Sequence, residues 1–111
     1  MSQITTHILD TSKGKPAAGV VIVLYHQHNN WEELTRGITN ADGRISNLLA
    51  SDVLLPLGTY KMKFETKSYF DTTETISFYP FIEIVFEIAS KEHYHVPLLL
   101  NPYGYSTYRG S

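Results

Sequence analysis

Ile82-Glu83-Ile84-Val85-Phe86-Glu87-Ile88 alternates apolar and charged residues almost without a break. Successive side chains on a strand point to opposite faces, so this stretch is a strand. Tyr60-Lys61-Met62-Lys63-Phe64-Glu65 repeats the pattern and predicts a second, half-exposed strand. Between them, residues Thr66 to Glu74 form the one candidate helix, with Thr66 as its cap and acidic residues inside it.

Toward the N-terminus, Val20-Val21-Ile22-Val23-Leu24-Tyr25 is a continuous apolar run. Periodicity alone allows a strand buried on both faces or a helix fragment. The β-branched side chains and Gly19 decide for a strand. Asn29-Asn30 then connects tightly to Trp31-Glu32-Glu33-Leu34-Thr35-Arg36, which predicts a hairpin. Ile4-Thr5-Thr6-His7-Ile8-Leu9 reads as a short first strand that ends at the turn formers from Asp10 to Pro16. Asn40-Ala41-Asp42-Gly43 is another turn, with Gly43 free to take positive φ. Leu48 to Leu57 is ambiguous.

Toward the C-terminus, Tyr94-His95-Val96-Pro97-Leu98-Leu99-Leu100 is a further strand. Pro97 lacks an N–H, which predicts an edge or a bulge there. Asn101-Pro102-Tyr103-Gly104 turns the chain into a last short strand, Tyr105-Ser106-Thr107-Tyr108. Many short strands with Gly and Pro turns predict an all-β sandwich or barrel. The 111 residues fit a single domain, 1–111.

Composition narrows the function. The net charge is −2 and no basic run exists, so nucleic acid is not an expected partner. The apolar stretches are too short to span a bilayer, and Met1-Ser2-Gln3-Ile4 lacks the regions of a signal peptide, so the expected setting is cytoplasmic. There is no cysteine to serve as nucleophile or metal ligand. There is also no G-x-S-x-G elbow, so a covalent acyl-enzyme route has no support.

Chemistry therefore falls to the five histidines. His26 and His28 are two residues apart, as are His93 and His95, so each pair shares a strand face and could converge on zinc. The plain alternative for His26 and His28 is solvated histidine beside a polar turn. His95 begins an apolar strand and His7 sits inside one; each is a near-neutral proton-transfer group or a satisfied half-buried histidine. Arg44 follows the Asp42-Gly43 turn; it is a solvated cation or a planar fork for a carbonyl oxygen or an anionic heterocycle. Three tyrosines close to the C-terminus predict a packed end, either an edge strand covered by a partner chain or the wall of a ligand site.

Four segments carry a family resemblance. They are Ile4-Thr5-Thr6-His7-Ile8-Leu9-Asp10 with Gly14-Lys15-Pro16-Ala17, then Thr39-Asn40-Ala41-Asp42-Gly43-Arg44, then His93 to Leu100, and the closing Ser106-Thr107-Tyr108-Arg109-Gly110-Ser111. Together they resemble the motifs of the 5-hydroxyisourate hydrolases, the transthyretin-like proteins. The terminal Tyr-Arg-Gly-Ser is the most specific piece, because the hormone carriers of the same fold lack it.

The resemblance implies a transthyretin-like sandwich of two antiparallel sheets, about eight strands and one short helix. It also implies a homotetramer with active sites in a central channel. Carried over residue by residue, the site falls on His7, Arg44, His95 and Ser111 for catalysis and on His7, Arg44 and Tyr108 for substrate binding, with no metal or other cofactor. The implied reaction opens 5-hydroxyisourate to 2-oxo-4-hydroxy-4-carboxy-5-ureidoimidazoline. The competing readings are a ligand-binding module without catalysis, a zinc hydrolase, and an edge-to-edge assembly domain.

Overall fold

A computed structural model describes residues 2–111. Its elements are β1 (Ile4–Asp10), β2 (Lys15–Pro16), β3 (Val21–Gln27), β4 (Trp31–Ile38), β5 (Arg44–Ile45), β6 (Gly58–Phe64), α1 (Thr66–Thr72), β7 (Ile82–Ile88), β8 (Tyr94–Asn101) and β9 (Gly104–Thr107). They form two sheets. One runs β2-β1-β8-β9 with β5 also on β1; the other runs β4-β3-β6-β7. All pairings are antiparallel apart from β1 with β8, which run parallel. The expected all-β sandwich with one short helix is the observed architecture.

The core lies between the sheets. Ile4, Ile8, Val96, Leu98 and Leu100 face it from the first sheet, and Ile22, Leu24, Tyr60, Met62, Phe64, Ile82 and Ile88 from the second. Period-two alternation then fixes what the outer faces carry. On β1 the outward residues are Thr5, His7 and Leu9, and on β8 His95 and Leu99. Val23 points away from the core yet is buried, so β3 is covered on both faces at its centre, as its unbroken apolar run predicts.

Two expectations for the helix change, and one open segment is settled. Thr66 does not cap the helix: Glu65 holds that position, without a side-chain capping bond, and the Thr66 hydroxyl is buried without a partner. The helix ends at Thr72, short of Glu74. Leu48 to Leu57 forms neither helix nor strand; its backbone is held by the N-terminus, with Leu49 N–H donating to Ser2 Oγ and Leu55 N–H to Gln3 Oε1.

Pro97 lies at neither an edge nor a bulge. β8 is an interior strand, between β1 and β9. The β8–β9 ladder ends at Leu98 opposite Thr107, and the same register resumes as an isolated bridge between His95 and Gly110. Pro97 falls in the gap between the two, where its missing donor breaks the ladder. Thr107 Oγ1 donates to the Pro97 carbonyl at 2.7 Å, and Gly110 N–H to the His95 carbonyl at 2.8 Å, so the tail stays attached.

Candidate active site

The turn before β5 is built by Asn40. Its Oδ1 accepts from Asp42 N–H at 2.9 Å and Arg44 N–H at 3.1 Å. Gly43 adopts φ 72°, and its carbonyl accepts from Ile8 N–H at 2.8 Å. A Cβ at Gly43 would meet the Ile8 carbonyl oxygen at 2.5 Å, so glycine is required there twice over. This turn sets Arg44 opposite His7 in the β1–β5 pairing.

The parallel β1–β8 register does the rest. It sets Thr5 opposite His95, and Thr5 Oγ1 lies 2.8 Å from His95 Nδ1 and 2.8 Å from His93 Nε2. From the other side the tail closes on the same ring. A Cβ on residue 110 would lie 2.6 Å from His95 Cδ2, so Gly110 is the residue that lets the tail pass. A cavity of about 300 Å³ results, lined by Thr5, Arg44, Ser46, His93, His95 and Ser111 among others.

The electrostatics of this face are unbalanced. The chain has three arginines; Arg36 and Arg109 pair with carboxylates, but among the described residues Arg44 pairs with none. Burial depresses the pKa of His95, and the nearby charges of Arg44, His93 and His7 push the same way. His7 is likewise lowered, first by burial and then by Arg44, against the opposing pull of Asp42. Both imidazoles are therefore poised as neutral bases near pH 7. A bare guanidinium beside two neutral bases can hold an anion or polarise a carbonyl while a neighbour takes a proton.

Of the residues singled out from sequence, Arg44, His95 and Ser111 line this cavity. His7 stands beside it, opposite Arg44. Tyr108 does not reach it. This residue follows β9 rather than belonging to it, and lines a second cavity with Ile84, Phe86, Tyr94 and Arg109. The C-terminal tyrosines are largely exposed, Tyr103, Tyr105 and Tyr108 by 67%, 43% and 59%, with Tyr105 set edge-on to Tyr79 at 5.4 Å. His26 stacks on Tyr60 at 4.5 Å and His28 is exposed, both at the β3–β4 hairpin and away from the cavity. Among the described residues, no three His, Cys, Asp or Glu side chains converge as a metal-binding group.

Sequence reasoning missed Thr5, weighed His93 only as a zinc ligand, and held Gly110 only as part of the closing Tyr108-to-Ser111 tail that the resemblance brings to the site. The signal for Thr5 was present, since residues two apart on a strand share a face and Thr5 precedes His7 by two.

Comparison with known proteins covers nearly the whole chain. Residues 4–110 match the HIUase/Transthyretin family. The chain is 45% identical to the 5-hydroxyisourate hydrolase of Mus musculus, over 99% of this chain and 96% of the mouse protein. The structure of Klebsiella pneumoniae 5-hydroxyisourate hydrolase superposes with a TM-score of 0.87 at 41% identity, covering 97% of this chain and 98% of that one. Sea bream transthyretin in complex with thyroxine superposes with a TM-score of 0.91 at 31% identity, covering 98% and 95%. Backbone shape therefore does not separate the 5-hydroxyisourate hydrolase from transthyretin, while sequence identity is higher to the hydrolases, 45% and 41% against 31%. The chain belongs to the HIUase/Transthyretin family.

Proposed function

We propose that the protein is a cytoplasmic homotetrameric hydrolase that opens 5-hydroxyisourate to 2-oxo-4-hydroxy-4-carboxy-5-ureidoimidazoline. The single observation that carries this reading is Arg44, unpaired with any carboxylate among the described residues, lining one cavity with His95 and standing opposite His7. The named hydrolase relatives supply the substrate.

Water adds to the ring carbonyl, His7 or His95 takes its proton, and Arg44 steadies the oxyanion. The C–N bond then breaks, the nitrogen is protonated, and the carboxylic acid formed ionises. Ser111 orients a neighbouring group from the tail. Tyr108 contributes its hydrogen bond to substrate in the assembled tetramer. Acid–base help and oxyanion stabilisation each supply about 10²- to 10³-fold, enough in kind for a substrate that also hydrolyses unaided.

Two open edges support the tetramer. β7 and β9 each end a sheet, and Val85 and Tyr105 on them are exposed. An apolar open edge invites a second copy. Among the described residues no helix is long and apolar enough to cross a membrane.

The test is ultraviolet decay of 5-hydroxyisourate with and without the protein, beside equilibrium dialysis. Accelerated decay supports the hydrolase. Retention of the compound without acceleration, by a folded tetramer, favours the non-catalytic binding module.

A further inference from the structure

The hydroxyl of Thr5 sits between two imidazoles, 2.8 Å from His93 Nε2 and 2.8 Å from His95 Nδ1. The hydrolytic scheme above does not use it. A hydroxyl has one proton and two lone pairs, so Thr5 can donate to one ring while accepting from the other. Two arrangements follow. In the first, His95 Nδ1–H donates to Thr5 and Thr5 donates to His93 Nε2. The lone pair of His95 Nε2 is then free to act as a base. In the second, His93 Nε2–H donates to Thr5 and Thr5 donates to His95 Nδ1. The proton of His95 is then on Nε2.

We propose that Thr5 is a positioning residue that sets the tautomer of His95 and links it through His93 to solvent as a proton relay. The proposal rests on the hydrolase reading and names the route by which its proton leaves.

The transfers balance. His95 Nε2 takes a proton as the water oxygen bonds to the carbonyl carbon. His95 Nδ1–H passes to Thr5 Oγ1 while the Thr5 proton passes to His93 Nε2. His93 releases its Nδ1 proton to water. All three groups are again neutral, now in the second arrangement. Delivery of the His95 Nε2 proton to the leaving nitrogen runs the relay backwards, with His93 taking a proton from water. The product acid then ionises, so one proton leaves per turnover.

The geometry suits such a relay. The two rings lie 6.4 Å apart and within 23° of parallel, each with one nitrogen on Thr5. Thr5 is held by strand pairing with His95, and its β-branched side chain is stiff. His93 is exposed, so it can exchange protons with water, whereas His95 is half-buried. The segment before His93 is anchored by Gln3, whose Nε2 donates to the carbonyls of Ser90 at 3.5 Å and Glu92 at 3.3 Å. The charged and titratable groups facing His95 are Arg44 from β5, His7 from β1 and His93 before β8. Burial and Arg44 make His95 a poor place to keep a proton, which favours handing it on.

The test uses Thr5→Val, which keeps the shape and removes the hydroxyl, and Thr5→Ser, which restores it. Turnover, its pH profile and the imidazole nitrogen NMR signals of His95 are measured on the full-length protein. Thr5→Val is expected to lower kcat by about 10- to 100-fold with KM nearly unchanged. It should also shift the His95 nitrogen signals toward a tautomer mixture and move the acid limb of the profile. Thr5→Ser should return all three toward the wild type. Should Thr5→Val not fold, His93→Ala reads the same relay: its kcat should fall and recover as imidazole buffer is added. Wild-type kcat, pH profile and His95 signals in folded Thr5→Val would overturn the proposal, as would an unchanged kcat in His93→Ala. A wild type without turnover would overturn the hydrolase reading instead, and the tautomer signals alone would then decide the role of Thr5.

Discussion

The outer faces of the two sheets treat charge in opposite ways. On the β4-β3-β6-β7 sheet the cations are satisfied. Lys61 Nζ lies 3.0 Å from Glu83 and 4.5 Å above the Trp31 ring. Lys63 Nζ lies 3.2 Å from Glu65 and 4.4 Å above Phe81. Arg36 forks onto Glu33 at 2.8 and 2.6 Å. On the β2-β1-β8-β9 sheet, Arg44 has no carboxylate and stands among His7, His93 and His95. The first face adds modestly to stability. The second holds uncompensated groups at a cavity, an arrangement that stability alone does not favour and that the anionic, carbonyl-rich substrate proposed above would complete.

Substitutions on the two faces should separate activity from stability. The largest expected effect is on the histidine: His95→Asn should lower kcat by about 10²- to 10⁴-fold without loss of the folded assembly, read by turnover and light scattering. Arg44→Ala should cost about 10²- to 10³-fold in kcat and leave the melting temperature nearly unchanged. Near-normal turnover in that variant would remove the oxyanion role. Gly110→Ala forces the tail or the His95 ring to move and should lower kcat by up to about 10²-fold. On the opposite face, Lys61→Ala should leave kcat unchanged and cost about 1 kcal/mol or less, measured by urea unfolding.

The pH dependence carries the same contrast. His7 and His95 both have pKa values below the ordinary 6.5. Their neutral forms act as bases, so kcat/KM should hold at neutral pH and fall as the pH drops through those lowered values. Stability has the same sign. Between the lowered values and 6.5 the unfolded chain binds more protons, so folded stability is complete above 6.5 and declines as the pH falls through that window. Denaturation midpoints at successive pH values measure the decline, and His95→Asn should reduce it.

The strands were legible because alternation in β6 and β7, and the apolar run of β3, leave few other structures to these segments. The Thr66 cap was not legible. A threonine before a helix satisfies the capping rule, but packing carried it inside the helix with its hydroxyl buried. Pro97 misled because the rule concerns a ladder hydrogen bond, and a gap in an interior ladder meets it as well as an edge does. At the site, the residue types at His7, Arg44, His95 and Ser111 were readable. Their convergence followed from the family resemblance and not from spacing, since it depends on β1 lying parallel to β8 and on the tail returning to His95. Tyr108 shared the closing motif yet lines a different cavity, a separation that only the path of the tail after β9 reveals.

The most direct test of a catalytic outer face on the first sheet is to generate 5-hydroxyisourate in place from urate with a urate oxidase. Its ultraviolet decay is then followed with the wild type and with His95→Asn at equal concentrations. The account predicts rapid decay with the wild type and near-spontaneous decay with His95→Asn. Equal decay with the two proteins, both folded and assembled, would contradict it.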